Sequence, residues 1–434
     1  MITTNDLNTT TEANKVKVFE VEAIRSILEI DGAPVNLLTY NKSFPGPLLE
    51  FQEGDRVSVR FKNSLDQPTN LHLHGLPISP IVDNPHAVIA PGQETSYDFT
   101  VPEGSAGTYW YHPHLHGQVT RQVFEGLSGP IIIRGKQDQA APLNQADEKI
   151  LLLHDITFED GSVARHTPME WVRGKEGELV LINGQLKPQF QAKTGLLRMR
   201  LINASSARYY RIAIPGKELF IIGLDGSYLE KPVAVEELLL SPGERADVLV
   251  RVEEEGKLEL LNMPYARHPF GPSTDTPQEG MLLGAFDVSG PANFAELPVK
   301  LKDLEVIQEK DVTLHKSLTF GAVMQPLEFT INGKAFDHHR TDLNSEAGST
   351  EIWDIHNPMG MDHPFHLHTF PFQVISVNNE PVAYRSWRDV VNIPAQSTVR
   401  IAVPFKEHSG KVMYHCHILE HEDHGMMGNL EVTE

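Results

Sequence analysis

The donor atoms of this chain crowd into its last twenty residues. Tyr414-His415-Cys416-His417 is followed by His421, and then by Met426 and Met427. Cys416 is the only cysteine among 434 residues, so no disulfide within the chain can claim it. A thiolate, imidazoles and a thioether are the ligands of a copper electron-transfer site: two His and one Cys around the ion, with a weak axial Met.

The flanking histidines add a constraint. If residues 414–417 form a strand, side chains alternate between its faces. Cys416 then points one way, and His415 and His417 the other. One metal cannot take all three. His415 and His417 must serve a second centre, with Cys416 as the covalent link between the two.

Three further segments supply ligands for that second centre. Leu71-His72-Leu73-His74-Gly75 and Trp110-Tyr111-His112-Pro113-His114 each set two histidines on one strand face. In His363-Pro364-Phe365-His366-Leu367-His368, His366 and His368 share a face and His363 has the opposite parity. This segment therefore divides as the last one does, one ligand to the Cys416 site and two to the other.

These four segments resemble the four copper-binding motifs of the multicopper oxidases, which include laccases, ascorbate oxidase, bilirubin oxidase and the cuprous and ferrous oxidases. The likeness is greatest to three-domain bacterial laccases, and it covers essentially the whole chain. Chance does not place ten of 21 histidines in these patterns around a single cysteine. The resemblance implies four copper ions. His363, Cys416 and His421 would bind the type 1 copper. Met426 and Met427 are both axial candidates, and the family's spacing selects Met426. His72 and His366 would bind the type 2 copper, and His74, His112, His114, His368, His415 and His417 the type 3 pair. The split between types 2 and 3 comes from the family alone.

The resemblance also implies the reaction. A donor would give single electrons to the type 1 copper, and these would pass through Cys416 to the three-copper cluster, where dioxygen becomes water. Asp83, eleven residues after His72, and Glu422, directly after His421, match acidic positions that the family uses to deliver protons. On the residues alone, each reads equally as a surface acid. Met359 and Met361, just before His363, are candidates for the substrate rim, or else core. The expected donors are phenols and aromatic amines. Cu(I) or Fe(II) is the alternative, and a scaffold without catalysis a remote third. The 11 methionines are scattered, with no Met-rich insertion.

The elements that position these ligands show as an internal repeat. PLLEFQEGDRVSVRFKN (47–63) precedes APGQETSYDFTV (90–101). PQFQAKTGLLRMRLIN (188–203) precedes SPGERADVLV (241–250), and AGSTEIWDIHN (347–357) precedes IPAQSTVRIAV (393–403). Each copy is an alternating strand opened by a Gly turn, then a Pro-containing turn and a second alternating strand. Three copies predict an all-β chain of three consecutive Greek-key β-sandwich domains, which the resemblance names as cupredoxin-like. The expected spans are 1–137, 146–290 and 300–434, with boundaries in the polar stretches 134–148 and 289–304. The ligands lie in the first and third units only. The eight imidazoles must therefore meet where those two units touch, and the second is expected to be a metal-free spacer.

Composition excludes other classes. The net charge of −21 is wrong for nucleic acid. No apolar run is long enough to span a membrane. The polar start, Met1 to Asp6, has neither a basic nor an apolar leader region. The protein is thus either cytoplasmic or a mature form whose signal was removed, and the resemblance favours a periplasmic or secreted monomer. His116 follows the His112-Pro113-His114 motif at the right parity, but the eight cluster positions are already filled. His86, His338, His339, His356, His408 and His424 lack a matching motif, and all seven read as surface residues or as supports behind ligands. Trp387 and Asp389, in SWRDVV, read as packing and ligand support.

Overall fold

The repeated Pro-containing turns build the same corner three times. Gly92 (φ +79°), Gly243 (φ +84°) and Gln396 (φ +56°) each sit in the left-handed region immediately before a strand. Those strands are Glu94–Thr100, Arg245–Val252 and Ser397–Pro404. In the third copy a glutamine accepts the conformation that glycine adopts without steric cost. The computed structural model describes residues 16–268, 277–406 and 408–434. The polar start, Met1 to Asp6, lies outside them.

The strands assemble into three two-sheet units, as the all-β expectation requires. In the first, a four-stranded sheet runs in the order Leu49–Gln52, Gly129–Arg134, Gly107–His112, His72–His74. It packs on a six-stranded sheet around Val21, Phe51, Val59, Tyr111 and Ile131. That second sheet also takes in the hairpin strands Phe158–Glu159 and Ser162–Val163 from beyond the 134–148 stretch. The middle unit pairs seven strands with five around Leu151, Met199, Ile221 and Phe286. The third does likewise around Trp353, Phe365, Ile401 and Cys416. Its five-stranded sheet orders Leu343–Glu346, Met427–Thr433, Gly410–Cys416, His363–Leu367 and Val390–Ile393. Among the described residues no helix is long and apolar enough to cross a membrane.

Register carries the ligands to their places. His72 lies opposite His112, and His366 opposite His415. Directly opposed residues of an antiparallel pair project from the same face. Phe365 lies opposite Cys416, so His363 shares the Cys416 face and His366 the His415 face.

The polar stretch 134–148 is an ionic clamp between the first two units. Arg198 and Arg200 emerge from the same face of the Gly195–Asn203 strand. Arg200 donates to Glu148 at 2.8 Å, to Asp138 at 2.6 Å and to Thr108 Oγ1 of the first unit at 3.0 Å. Arg198 donates to Asp138 at 2.9 Å and holds Asp247. Arg134 grips Glu148 with two nitrogens, at 2.9 and 2.6 Å. Burial raises the Glu148 carboxyl, but Arg200, Arg134 and Arg198 outweigh it and hold it well below the usual carboxylate range. The folded value lies below the unfolded one. The stabilisation is therefore complete above the unfolded value of about 4.3 and is lost as pH falls toward the folded value. We expect the Glu148 contribution to be constant from neutrality to about pH 5 and to fall below it, so that the melting temperature declines less steeply below pH 5 in Glu148→Gln than in wild type. Arg200→Met leaves Glu148 to Arg134 and Asp138 to Arg198, and the loss of its own charged hydrogen bonds should cost on the order of 1–3 kcal/mol. Calorimetry across pH checks both, and identical profiles for wild type and Glu148→Gln would count against the clamp.

Candidate metal centre

Two groups of buried donors lie on opposite sides of the Gly410–Cys416 strand. In the smaller, the Nδ1 atoms of His363 and His421 are 3.2 Å apart, and Cys416 Sγ is 3.5 and 3.9 Å from them. All three residues are fully buried. Neighbours fix each donor. The Ile418 N–H points at Cys416 Sγ, Phe329 stacks on the His421 ring at 4.0 Å, and His421 Nε2 bonds the Val172 carbonyl at 3.1 Å. That last bond leaves Nδ1 free to face the sulfur.

Met427 lies opposite His415, so its side chain belongs to the His415 face. Met426, one residue earlier, belongs to the Cys416 face. Its carbonyl accepts from the Cys416 N–H at 3.0 Å, and its side chain packs in the same core as the sulfur.

The larger group gathers eight imidazoles, each no more than 2 % exposed. They come from four strands of the first and third units and, for His114, His368 and His417, from the residues just past the strand ends. His72 stacks on His368 with ring centroids 4.2 Å apart, and His74 on His366 at 4.0 Å. Three sets of nitrogens converge within 4.8 Å: His72, His74 and His112; His72, His366 and His368; His114, His368 and His415. His417 joins through ring contact with His74 at 5.0 Å, and neither of its nitrogens has a hydrogen-bond partner.

Most of these rings are pinned through one nitrogen, which leaves the other for the centre. His72 Nδ1 is 2.8 Å from Asp83 Oδ2. His74 Nε2 is 3.1 Å from Asp389 Oδ1. His112, His366 and His415 bond the carbonyls of Pro113, Asp389 and Cys416 through Nδ1 at 2.9, 2.7 and 2.9 Å. His72 Nε2 and His366 Nε2 are buried without partners. An unpaired buried polar atom is costly, and this many converging lone pairs are what a metal cluster takes. Burial, then the neighbouring imidazoles, holds His72, His114 and His368 well below the ordinary histidine value. Burial pulls His112 and His363 down to about 3. These five rings are therefore neutral, as ligation requires. Burial pushes the Cys416 thiol up, so a metal there must displace a proton.

Asp83 and Glu422 are buried, not solvated. Burial raises Asp83 to about 7 against the Leu73 N–H, which lowers it. The Glu422 carboxylate lies between two rings, 3.5 Å from His114 Nε2 and 3.1 Å from His415 Nδ1. Met361 is 8 % exposed and Met359 packs against the third core. His116 lies outside the cluster against Phe336.

The middle unit does more than space its neighbours. Arg245 donates to both oxygens of Asp389 at 2.6 Å and to the Thr108 carbonyl at 3.1 Å, tying all three units together behind His74. Gly243 lies so close to His417 that a Cβ would come within 2.7 Å of its ring. Glu420 accepts from the Lys175 N–H at 2.9 Å and meets His166 Nε2 at the same distance. Asp389 stands in a motif visible in the sequence. For Arg245 and Glu420 no local pattern marked a role.

Three family models, each described as multicopper oxidase, match residues 24–138, 155–258 and 307–434. The multicopper oxidase mco of Staphylococcus aureus is 32% identical over 410 residues, spanning 92% of this chain and 84% of that protein. Among solved structures, a Campylobacter jejuni multicopper oxidase described as a metallo-oxidase superposes with a TM-score of 0.90 at 35% identity, covering 98% of this chain and 93% of the other. A laccase from Pediococcus acidilactici does so at 0.85 and 30%, covering 96% and 90%. The chain belongs to the multicopper oxidase family, whose members are copper oxidoreductases with oxygen as acceptor.

The register argument makes a direct expectation. Met426→Leu conserves volume, so packing should change by less than about 1.5 kcal/mol. It removes the one thioether on the Cys416 face, and loss of that weak donor should raise the reduction potential of copper bound there. Met427→Leu should leave the potential alone. Redox titration of the visible band decides it: a shift in the second variant and none in the first would reverse the assignment.

Proposed function

We propose that this chain holds four copper ions and oxidises small one-electron donors, with a reduced metal ion, Cu(I) or Fe(II), a better fit than a phenol. In this reading His363, Cys416 and His421 would hold one copper, with Met426 as a further weak donor. His72 and His366 hold a second. His74, His112, His114, His368, His415 and His417 share a pair. Bound copper supplies one-electron oxidation of the donor at the first site and four-electron reduction of dioxygen to water at the other three. The complete donor set argues against a scaffold that has lost catalysis.

The observation that carries the donor preference is the closed edge of His421. Its outward nitrogen is occupied by the Val172 carbonyl of the short Pro168–Arg173 helix, and no part of the ring is exposed. A bulky donor cannot touch that imidazole as the chain stands. A metal ion bound at the rim needs only a short bonded path inward, and Met361 and Met359 lie just before His363. Thioether is a soft ligand and suits Cu(I). The Campylobacter relative is described as a metallo-oxidase, which agrees with this reading. Other relatives are laccases, which keeps phenols and aromatic amines as the second reading.

The chain's own residues supply connection and protons. Cys416 is bonded through the backbone to His415 and His417, and its carbonyl accepts from His415 Nδ1, giving a second, hydrogen-bonded path. Asp83, at about 7, exchanges a proton readily near neutral pH. Glu422 stands between rings on the other side of the cluster, where no protein group hydrogen-bonds it.

Steady-state kinetics on copper-loaded protein should give a higher kcat/KM for Cu(I) or Fe(II) than for a dimethoxyphenol. A phenol preference would return the laccase reading to first place. Separately, Asp83→Asn and Glu422→Gln should slow oxygen consumption while donors still bleach the visible band at the wild-type rate. Stopped-flow measurement of bleaching and recovery tests this. Unchanged recovery in both variants would leave these carboxylates with a purely structural part.

A further inference from the structure

Close pairs of imidazole nitrogens mark the metal centres of this chain. His74–His112, His114–His415, His368–His415 and His363–His421 approach to 3.3, 3.1, 3.1 and 3.2 Å. The same approach recurs once more among the described residues, outside both centres: His86 Nδ1 lies 3.2 Å from His338 Nδ1. We propose that His86 and His338 form a further metal site, for a divalent transition-metal ion of the Zn(II) or Cu(II) kind, across the boundary between the first and third units.

Geometry selects the class of ion. Metal–imidazole bonds of about 2.0–2.1 Å to nitrogens 3.2 Å apart enclose an angle of about 100°. That suits a tetrahedral or tetragonal ion. A linear two-coordinate ion would need nitrogens about 4 Å apart. The rings stand nearly perpendicular, at 89° with centroids 4.6 Å apart. His338 and His339 are exposed and their rings touch at 5.2 Å, so His339 or water can complete the coordination. A cleft of about 500 Å³, lined by both rings, His339 and Lys411, gives an ion access.

Both supporting loops are fixed in advance. The Asn70 side chain donates to the Pro85 and Ala87 carbonyls on either side of His86, at 3.3 and 3.0 Å. Opposite, the Asn429 side chain donates to the Asp337 and Arg340 carbonyls at 3.0 and 2.8 Å, and Lys411 Nζ to the His338 carbonyl at 2.8 Å. Burial, then His338 and Lys411, brings His86 down to about 4, so its lone pair is free at neutral pH. The lysine charge works against an ion held by electrostatics alone. The imidazole nitrogens suit an ion that bonds their lone pairs and select against the oxygen-seeking Mg(II) and Ca(II). An ion here would clasp the loop that begins at Asp83 to the third unit.

Zn(II) titrated calorimetrically into protein that is loaded with copper and then stripped of loosely held ion by a weak chelator tests the site, because the buried copper centres are then closed and the solvent-accessible pair is empty. We expect one equivalent of Zn(II) to bind beyond the copper, with a rise in melting temperature, and Mg(II) to do neither. His86→Gln and His338→Gln should each weaken that binding on the order of tenfold or more and abolish the thermal shift. Their copper content and visible band, unchanged, show that the fold is intact. His338 is exposed, so its variant tests the site even if His86→Gln misfolds. Absence of the extra equivalent from wild type, or its survival in a correctly folded variant, overturns the proposal.

Discussion

Side chains alternate along the Gly410–Cys416 strand, and the rest of the molecule is arranged around that fact. Cys416 faces the interior of the third sandwich, with His363, His421 and Met426. His415 and His417 face out of it. A buried imidazole needs surroundings, and on that side the third unit offers only His366, His368 and Glu422. The first unit must therefore close over the outer face with its own four histidines. The interface between the first and last units is in this sense dictated by the parity of three consecutive residues. The middle unit, which carries none of the eight imidazoles, is the long connection that lets the two ends of the chain meet.

Closing that interface puts eight rings out of reach of water, and the chain meets the cost by tying most of them from behind. His72 leans on Asp83, His74 on Asp389, and His112, His366 and His415 on main-chain carbonyls. Asp389 is itself a buried carboxylate and needs a cation. Arg245 of the middle unit provides it with two parallel hydrogen bonds. The same guanidinium reaches the strand that carries Trp110 and His112. One arginine thus fixes the relative placement of the three units at the point where a displacement of an ångström would spoil the ligand geometry.

Short-range relations were legible in the sequence. Spacing and parity within each segment gave the division into two centres, and the repeated turns gave three β units. What the sequence hid lies at long range. Arg245 and Asp389 are 144 residues apart, and nothing in SPGER distinguishes an arginine that will reach another unit from one that will sit on a surface. Asp83 and Glu422 look like ordinary acids until the sheets close over them. Met426 and Met427 could be told apart only by family spacing, and the register with His415 supplies the physical reason. His86 and His338 read as surface residues because each stands alone in sequence, and only the fold brings them together.

The layout separates what must be constant from what is free to vary. The Leu419–Asp423 helix holds His421 at one site and Glu422 at the other, and it is fixed at both ends. Asp423 accepts main-chain N–H groups of Gly117, Val119 and Thr120, while Glu420 binds Lys175 and His166 of the middle unit. The Pro168–Arg173 helix, which closes the His421 edge, rests on this frame but gives no ligand. Its N-terminus is capped by its own residues, with Thr167 and Glu170 exchanging main-chain hydrogen bonds. Substitutions on its exposed side, such as at Met169, meet neither the imidazoles nor the carboxylates. Access to the first site can therefore change while the imidazole cluster stays fixed, and this physical independence agrees with relatives of the same fold being described as a metallo-oxidase in one case and a laccase in another.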